Sequence, residues 1–208
     1  MELKDLSLVV KNVLSEEECD ALIEEYERKK FSSFEENNMN PYGEMETATF
    51  RTIELTEKSK NFETVRKGFE TGLQQWADYL GSLDSFHMLL LKNNLAFVHQ
   101  FRLLKYGLGA KINQHSDYAP GFVATVSLNL NENYTGGELV FFNGKYTVSL
   151  EKGDAFVFPC DYYWLHETNP ITNGCRYVVN GFVTSRPIKE INEFRRNTTH
   201  NPRLFNIK

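Results

Sequence analysis

Cysteine is scarce: the 208 residues hold three, Cys19, Cys160 and Cys175, an odd number at wide spacing. The usage fits a reducing cytoplasm better than a disulfide framework. There is no surplus of positive charge: 23 Lys and Arg against 28 Asp and Glu leave −5. That balance argues against nucleic acid or an anionic membrane as the main partner. No apolar run approaches the roughly 18 residues that cross a bilayer. The first ten residues carry acids and lack the apolar stretch of a signal peptide. Internal repeats and low-complexity tracts are missing too. What is present is core material, 41% hydrophobic and 13% aromatic, enough for one ordered domain.

The period of the apolar residues changes along the chain. Ser15 and Glu18 form a capping box, and Cys19, Leu22, Ile23 and Tyr26 follow at helical spacing. Residues 31–43 are polar and Asn-rich, with Pro41 and Gly43, and read as a mobile lid loop. Phe62, Val65, Phe69, Leu73, Trp76 and Leu80 then make the buried stripe of a second helix. After about residue 86 the pattern becomes that of strands. Ala124, Val126, Leu128 and Leu130 alternate with Thr125, Ser127 and Asn129, giving one apolar and one polar face. Asn143-Gly144 marks a type I′ hairpin, and further turns stand at Gly136-Gly137, Gly153 and Asn173-Gly174. Short strands between close turns predict an antiparallel jelly roll. The expected class is α+β with a mainly β core, a cupin-like double-stranded β-helix behind N-terminal supporting helices. It forms a single domain over 1–208: helical support and lid in 1–85, the core in 86–185, and a solvated C-terminal tail in 186–208. Arg195, Arg196 and Arg203 make that tail locally basic.

Within the β region stands a constellation with metal-binding chemistry. His115 and Asp117 flank Ser116, and i and i+2 in a strand face the same way. His166 follows 51 residues after His115 (166 − 115) and can close a triangle from a distant strand. Two imidazoles and one carboxylate leave part of a metal's coordination open, as in non-haem Fe(II) oxygenases, although the same set suits a catalytic zinc. Arg176, ten residues beyond His166, tips the choice toward iron and a keto acid, because its planar fork matches a carboxylate. A reversal near Ile171 would set His166 and Arg176 opposite one another on adjacent antiparallel strands. Val178 and Asn180 share the face of Arg176. Tyr106 can donate a phenolic hydrogen bond to the same co-substrate, and Asn129 can reach the cavity. His87, His99 and His200 lack comparable company and read as packing or surface residues.

Residues 100–107, 115–117, 136–139, 152–159 and 166–177, in that order, resemble the 2-oxoglutarate/Fe(II) oxygenases of the prolyl 4-hydroxylase type. The resemblance spans about residues 98–183, and residues 13–23 resemble the family's opening helix. It implies that His115, Asp117 and His166 bind Fe(II). It further implies that Arg176 holds the distal carboxylate of 2-oxoglutarate, with Tyr106 assisting and L-ascorbate as accessory reductant. Collagen-type members usually carry lysine at the place of Arg176, so a collagen-like substrate is not what the resemblance favours. Related halogenases lack the carboxylate that Asp117 supplies, which points to hydroxylation. The expected reaction hydroxylates a peptidyl proline while 2-oxoglutarate and O2 become succinate and CO2. A peptide or protein is thus the expected partner, with neither nucleic acid nor membrane. Alternatives are an oxygenase acting on a free amino acid or other small molecule, and a non-oxidative metal-binding barrel. A repair enzyme of nucleic acids typically has a second arginine six residues on, where this chain has Phe182. Tyr162, Tyr163 and Trp164, just before His166, are candidates to line the entrance.

Overall fold

The computed structural model describes residues 1–39 and 43–198. A short strand, β1 (Leu8–Val10), leads into helix α1 (Glu16–Lys29), which begins where the capping box predicts. Ser15 Oγ accepts the Glu18 N–H at 3.2 Å, and the Glu18 carboxylate accepts the Ser15 N–H at 2.8 Å. Each thereby satisfies a donor that the helix start leaves free. Then come β2 (Phe34–Met39), β3 (Met45–Leu55), α2 (Phe62–Leu83) and α3 (Ser85–Asn94). The remaining strands are β4 (Phe97–Tyr106), β5 (Phe122–Asn129), β6 (Leu139–Phe141), β7 (Tyr146–Val148), β8 (Ala155–Pro159), β9 (His166–Thr168) and β10 (Arg176–Thr184). Helix α4 (Ile188–Thr198) follows.

The strands form two antiparallel sheets. The larger has the order β1-β8-β5-β10-β4-β3-β2 and the smaller β7-β6-β9. Residues 109–115 extend the smaller sheet along β9: His115 and His166 exchange both backbone hydrogen bonds at 2.9 Å, and Thr168 N–H reaches Ile112 O at 3.1 Å. One face of the large sheet is apolar and receives the helices. Ala124, Val126, Leu128, Val157, Val179 and Leu103 meet Leu22, Val65, Phe69, Trp76 and Leu80 there. Gly181 is required at this junction, since a Cβ would lie 2.5 Å from Gln100 O and 2.6 Å from the Phe69 ring. On the other face, Phe156 and Phe158 pack against Leu139, Phe141, Val148 and Trp164 of the smaller sheet and its loops. Burying such large side chains contributes roughly 1.5–3 kcal/mol each. The alternation along β5 is as expected, but its polar face does not see solvent. Thr125, Ser127 and Asn129 are all buried between the sheets.

Four expectations need correction. Residues 34–39 are not part of a loop: they form β2, paired with β3 through Phe34↔Thr52 and Glu35↔Arg51. Pro41 lies outside the described residues. Strand structure does not begin at 86, because α3 occupies residues up to Asn94, while β1, β2 and β3 already belong to the large sheet. The segment read as a solvated tail carries helix α4, whose Ile191 is buried. The side chains of Arg195 and Arg196, and all of His200 and Arg203, fall outside the described residues. Finally, His166 and Arg176 are not on neighbouring strands. β9 pairs with β6 in the small sheet and β10 with β4 and β5 in the large one, so the two residues stand on opposing walls. The Asn143-Gly144 turn does form, with φ of 56° and 83°, the left-handed pair a type I′ turn demands.

Candidate active site

The space between the sheets holds a narrow cavity of about 40 Å³. His115, Asp117, His166, Arg176, Tyr106 and Asn180 all line it, together with Thr125, Ser127, Thr168, Leu139, Phe158 and Phe182. They arrive from strands of both sheets and the loop after residue 106, brought there by the pairing just described. The edge of the small sheet carries His115 and His166, and the loop after 115 turns Asp117 toward them.

His115, Asp117 and His166 each offer a ligand atom within 4.8 Å of the others. His115 Nε2 stands 3.2 Å from Asp117 Oδ1, and His166 Nε2 3.6 Å from Asp117 Oδ2. The ring orientations follow from the backbone. His115 Nδ1 lies 2.9 Å from Asn113 O and His166 Nδ1 3.0 Å from Trp164 O. A carbonyl can only accept, so both Nδ1 atoms carry the proton and both Nε2 lone pairs turn to the common centre. Phe141 stacks on His166 at 5.1 Å and Phe158 meets it edge-on at the same distance, which fixes the ring. Thr125 Oγ1 donates to Asp117 Oδ2 at 2.7 Å, and the Cys160 thiol donates to Asp117 O at 2.8 Å.

Charge in the site is uneven. Burial alone would raise the Asp117 carboxyl, yet the two imidazoles and the Thr125 hydroxyl hold it well below the usual carboxylate range. Burial dominates at His166 and lowers it, favouring the neutral ring. At His115 burial acts the same way but is overcome by Asp117, and the ring is raised. An anionic oxygen among inward-facing imidazole nitrogens is a donor set that suits a divalent cation. The residues therefore fit the iron that the sequence pattern implied.

Arg176 is buried on β10, directly opposite Tyr106 in the β4–β10 register. Its Nε donates to Asn129 Oδ1 and its Nη1 to Gly137 O, both at 3.1 Å. The turn supplying that carbonyl needs glycine: at Gly136, with φ 81°, a Cβ would sit 2.1 Å from Pro170 O. The guanidinium lines the cavity, and its Nη2 makes neither of these bonds. Tyr106 lies under it, ring centroid 5.9 Å from Arg176 Cζ, and stacks on Phe50 at 4.7 Å. Burial pushes the Tyr106 phenol up to about 12, so it stays a protonated donor. Asn180 lines the cavity with its Oδ1 buried and without a partner among the described residues.

Asn129 behaves differently from expectation. It is no wall residue but stands behind Arg176, its Nδ2 donating to Asn131 O (2.7 Å) and Leu150 O (3.1 Å). Its Oδ1 also accepts from the Tyr134 hydroxyl at 3.1 Å. The aromatic stretch before His166 divides. Trp164 is buried in the core, whereas Tyr162 and Tyr163 are exposed beside Tyr118, which meets Tyr162 at 5.4 Å. Sequence reasoning passed over the hydroxyl of Thr125, and also Arg102 and Glu36, which line the cavity too. Strand parity with Tyr106 was a signal for Arg102; Glu36 had none.

Residues 101–184 match the sequence profile of the 2OG-Fe(II) oxygenase superfamily. Among solved structures, the chain is similar to a prolyl-4-hydroxylase of Pseudomonas putida, with 17% identity over 86% of this chain and 92% of that one, TM-score 0.61. The viral collagen prolyl hydroxylase of Paramecium Bursaria Chlorella virus-1 gives 15%, 86%, 95% and 0.61 in the same order. A prolyl hydroxylase from Trichoplax adhaerens, in complex with a hypoxia inducible factor oxygen degradation domain peptide fragment, gives 15%, 91%, 87% and 0.63. At these identities the likeness is one of fold, and that fold is the double-stranded β-helix of 2OG oxygenases. A comparison with curated proteins finds no match.

Proposed function

We propose that this chain, whose residues 101–184 form a 2OG-Fe(II) oxygenase domain, is a 2-oxoglutarate-dependent dioxygenase that hydroxylates a prolyl residue in a peptide. One observation carries the reading: three ligand atoms within 4.8 Å share a narrow cavity with a buried arginine held through its Nε and Nη1. His115, Asp117 and His166 would hold Fe(II). When bound, iron with 2-oxoglutarate and O2 supplies the oxidising chemistry, yielding succinate, CO2 and a hydroxylated substrate carbon.

The protein's own work is holding and excluding. Arg176 takes the distal carboxylate of 2-oxoglutarate, and the Asn129 and Gly137 bonds keep the guanidinium from swinging away. Tyr106 adds a neutral hydroxyl, and Asn180 offers its amide on the same face. Thr125 orients the Asp117 carboxylate. Leu139, Phe158 and Phe182 line the remaining wall and keep water out, which strengthens each charged contact. A peptide substrate is favoured by the shared fold with prolyl hydroxylases, one of them peptide-bound. L-Ascorbate would serve as accessory reductant. Among the described residues no helix is long and apolar enough to cross a membrane, and the cysteines are free thiols, which fits a cytoplasmic enzyme.

Purified protein given Fe(II), 2-oxoglutarate and ascorbate should form succinate slowly without substrate and faster with proline-containing peptides. His115→Ala should abolish both. Succinate formation that is absent from the wild-type protein, or unchanged in that variant, would refute the proposal.

A further inference from the structure

Beyond the arginine assigned to the co-substrate, a second guanidinium faces the cavity. Arg102 stands on β4 four residues before Tyr106, so strand periodicity puts both on the same face. It lies opposite Asn180 in the β4–β10 register. Its Nη1 donates to Glu36 Oε2 at 2.6 Å, and its Cζ sits 4.7 Å from the centroid of the Phe182 ring. Glu36 comes from β2, the outer strand of the large sheet, and its other oxygen accepts from Thr52 Oγ1 at 2.7 Å. The two charged side chains are 19% and 17% exposed and line the cavity that holds the metal triad. Arg102 Nε is buried and makes no hydrogen bond among the described residues.

As a structural tie this pair is poor. A largely desolvated ion pair gains little over apolar residues of the same size, and β2 is already held by its backbone ladder with β3. A tie also gives no reason to use one Nη of the fork and leave Nε bare. The arrangement suits a cation that must be neutralised until a ligand arrives. We propose that Arg102 reads a carboxylate on the substrate, and that Glu36 stands in for that carboxylate while the site is empty. A substrate carboxylate engaging the fork through two bonds displaces a glutamate that makes one. Glu36 retains Thr52 as it leaves. The anion has two sources: the α-carboxylate of a free amino acid or C-terminal proline, or an acidic side chain beside an internal proline.

This inference rests on the oxygenase reading, and the experiment separates the two. Substrate-stimulated succinate formation is measured with free L-proline, with a short peptide ending in proline as acid or amide, and with an internal proline followed by Asp or Asn. Within the pair that matches the true source, the anionic form should have a KM at least about tenfold lower than its neutral counterpart. Arg102→Gln should bring that ratio close to one, while Arg102→Lys keeps part of it. Glu36→Gln, which removes the competing anion, should lower the KM of the anionic form several-fold. Equal KM values within both pairs for the wild-type protein overturn the proposal. So does a preference that survives Arg102→Gln, and so does failure of every probe to stimulate turnover. A melting curve shows whether Arg102→Gln is folded; if it is not, the wild-type ratios and Glu36→Gln still decide. Persistent substrate-free succinate formation with no acid preference sinks only the role of Arg102. Loss of substrate-free formation sinks the oxygenase reading and this inference with it.

Discussion

Truncating Asn129 to alanine tests whether the anchor behind Arg176 matters as the geometry demands. The amide is fully buried, and its shorter bonds serve two carbonyls, one phenol and one guanidinium, with Glu151 O a third carbonyl at 3.4 Å. Alanine leaves all four without it. Taking about 1 kcal/mol for each neutral group and about 2 for the charged Nε gives about 5 kcal/mol, from which a water entering the vacated space recovers part. A net loss of about 3 kcal/mol lowers the melting temperature of a chain this size by roughly 6–12 °C. Function should suffer separately. With Nε released, Arg176 keeps only the Gly137 carbonyl, so its fork no longer waits in one orientation. The KM for 2-oxoglutarate should rise about tenfold, equivalent to about 1.4 kcal/mol of lost preorganisation, with a smaller change in kcat. Calorimetry reads the first effect and succinate formation at varied 2-oxoglutarate the second. A melting shift under about 2 °C together with an unchanged KM would refute the reasoning, because it would mean that Arg176 needs no support.

Two further substitutions probe neighbouring links. Thr125→Val removes the 2.7 Å bond to Asp117 Oδ2 while keeping the side chain's shape, so Fe(II) affinity should fall roughly 10- to 100-fold in a metal titration; an unchanged affinity would show that Asp117 is oriented by other contacts. Glu27 concerns stability rather than catalysis. Its carboxyl is bound by Lys105 and by the Tyr177 hydroxyl, both at 2.6 Å, and is lowered from 4.5 to about 2. A depressed folded value means the contribution is present above the ordinary carboxylate range and is lost as pH falls from 4.5 toward about 2. Glu27→Gln should therefore flatten the dependence of the urea midpoint on pH in that window and leave it alone above pH of about 6. An equally steep acid limb in the variant would place the titration elsewhere.

What could be read from sequence was local. The start of α1 was legible because Ser15 and Glu18 cap each other whatever surrounds them. The Asn143-Gly144 turn was legible because few other residue pairs accept left-handed backbone twice in succession. β2 was not legible. Its residues are mostly Glu and Asn, with no apolar alternation, and its pairing is set by β3 and by a cavity that exists only after folding. The apolar run in α3 lacks a clean helical stripe, which hid that helix within what read as the start of the β region.

The active-site misreadings share one cause. Periodicity says which way a side chain points, whereas depth and wall depend on register and sheet membership. Asn129 and Asn180 both point between the sheets, but β5 and β10 align Asn129 with Val178 and Ser127 with Asn180. One asparagine thus ends behind the buried arginine and the other in the cavity wall. Likewise, the turn after His166 foretold a reversal but not that the chain would change sheets within it. That change of sheet is what makes a site: had β9 and β10 been neighbours, His166 and Arg176 would share one wall. On opposing walls, the metal triad and the guanidinium face one cavity, the arrangement that the proposed function uses for a keto diacid. On the proposed function, the separation of the two charged groups across the cavity is what lets a metal-binding motif serve a co-substrate as well.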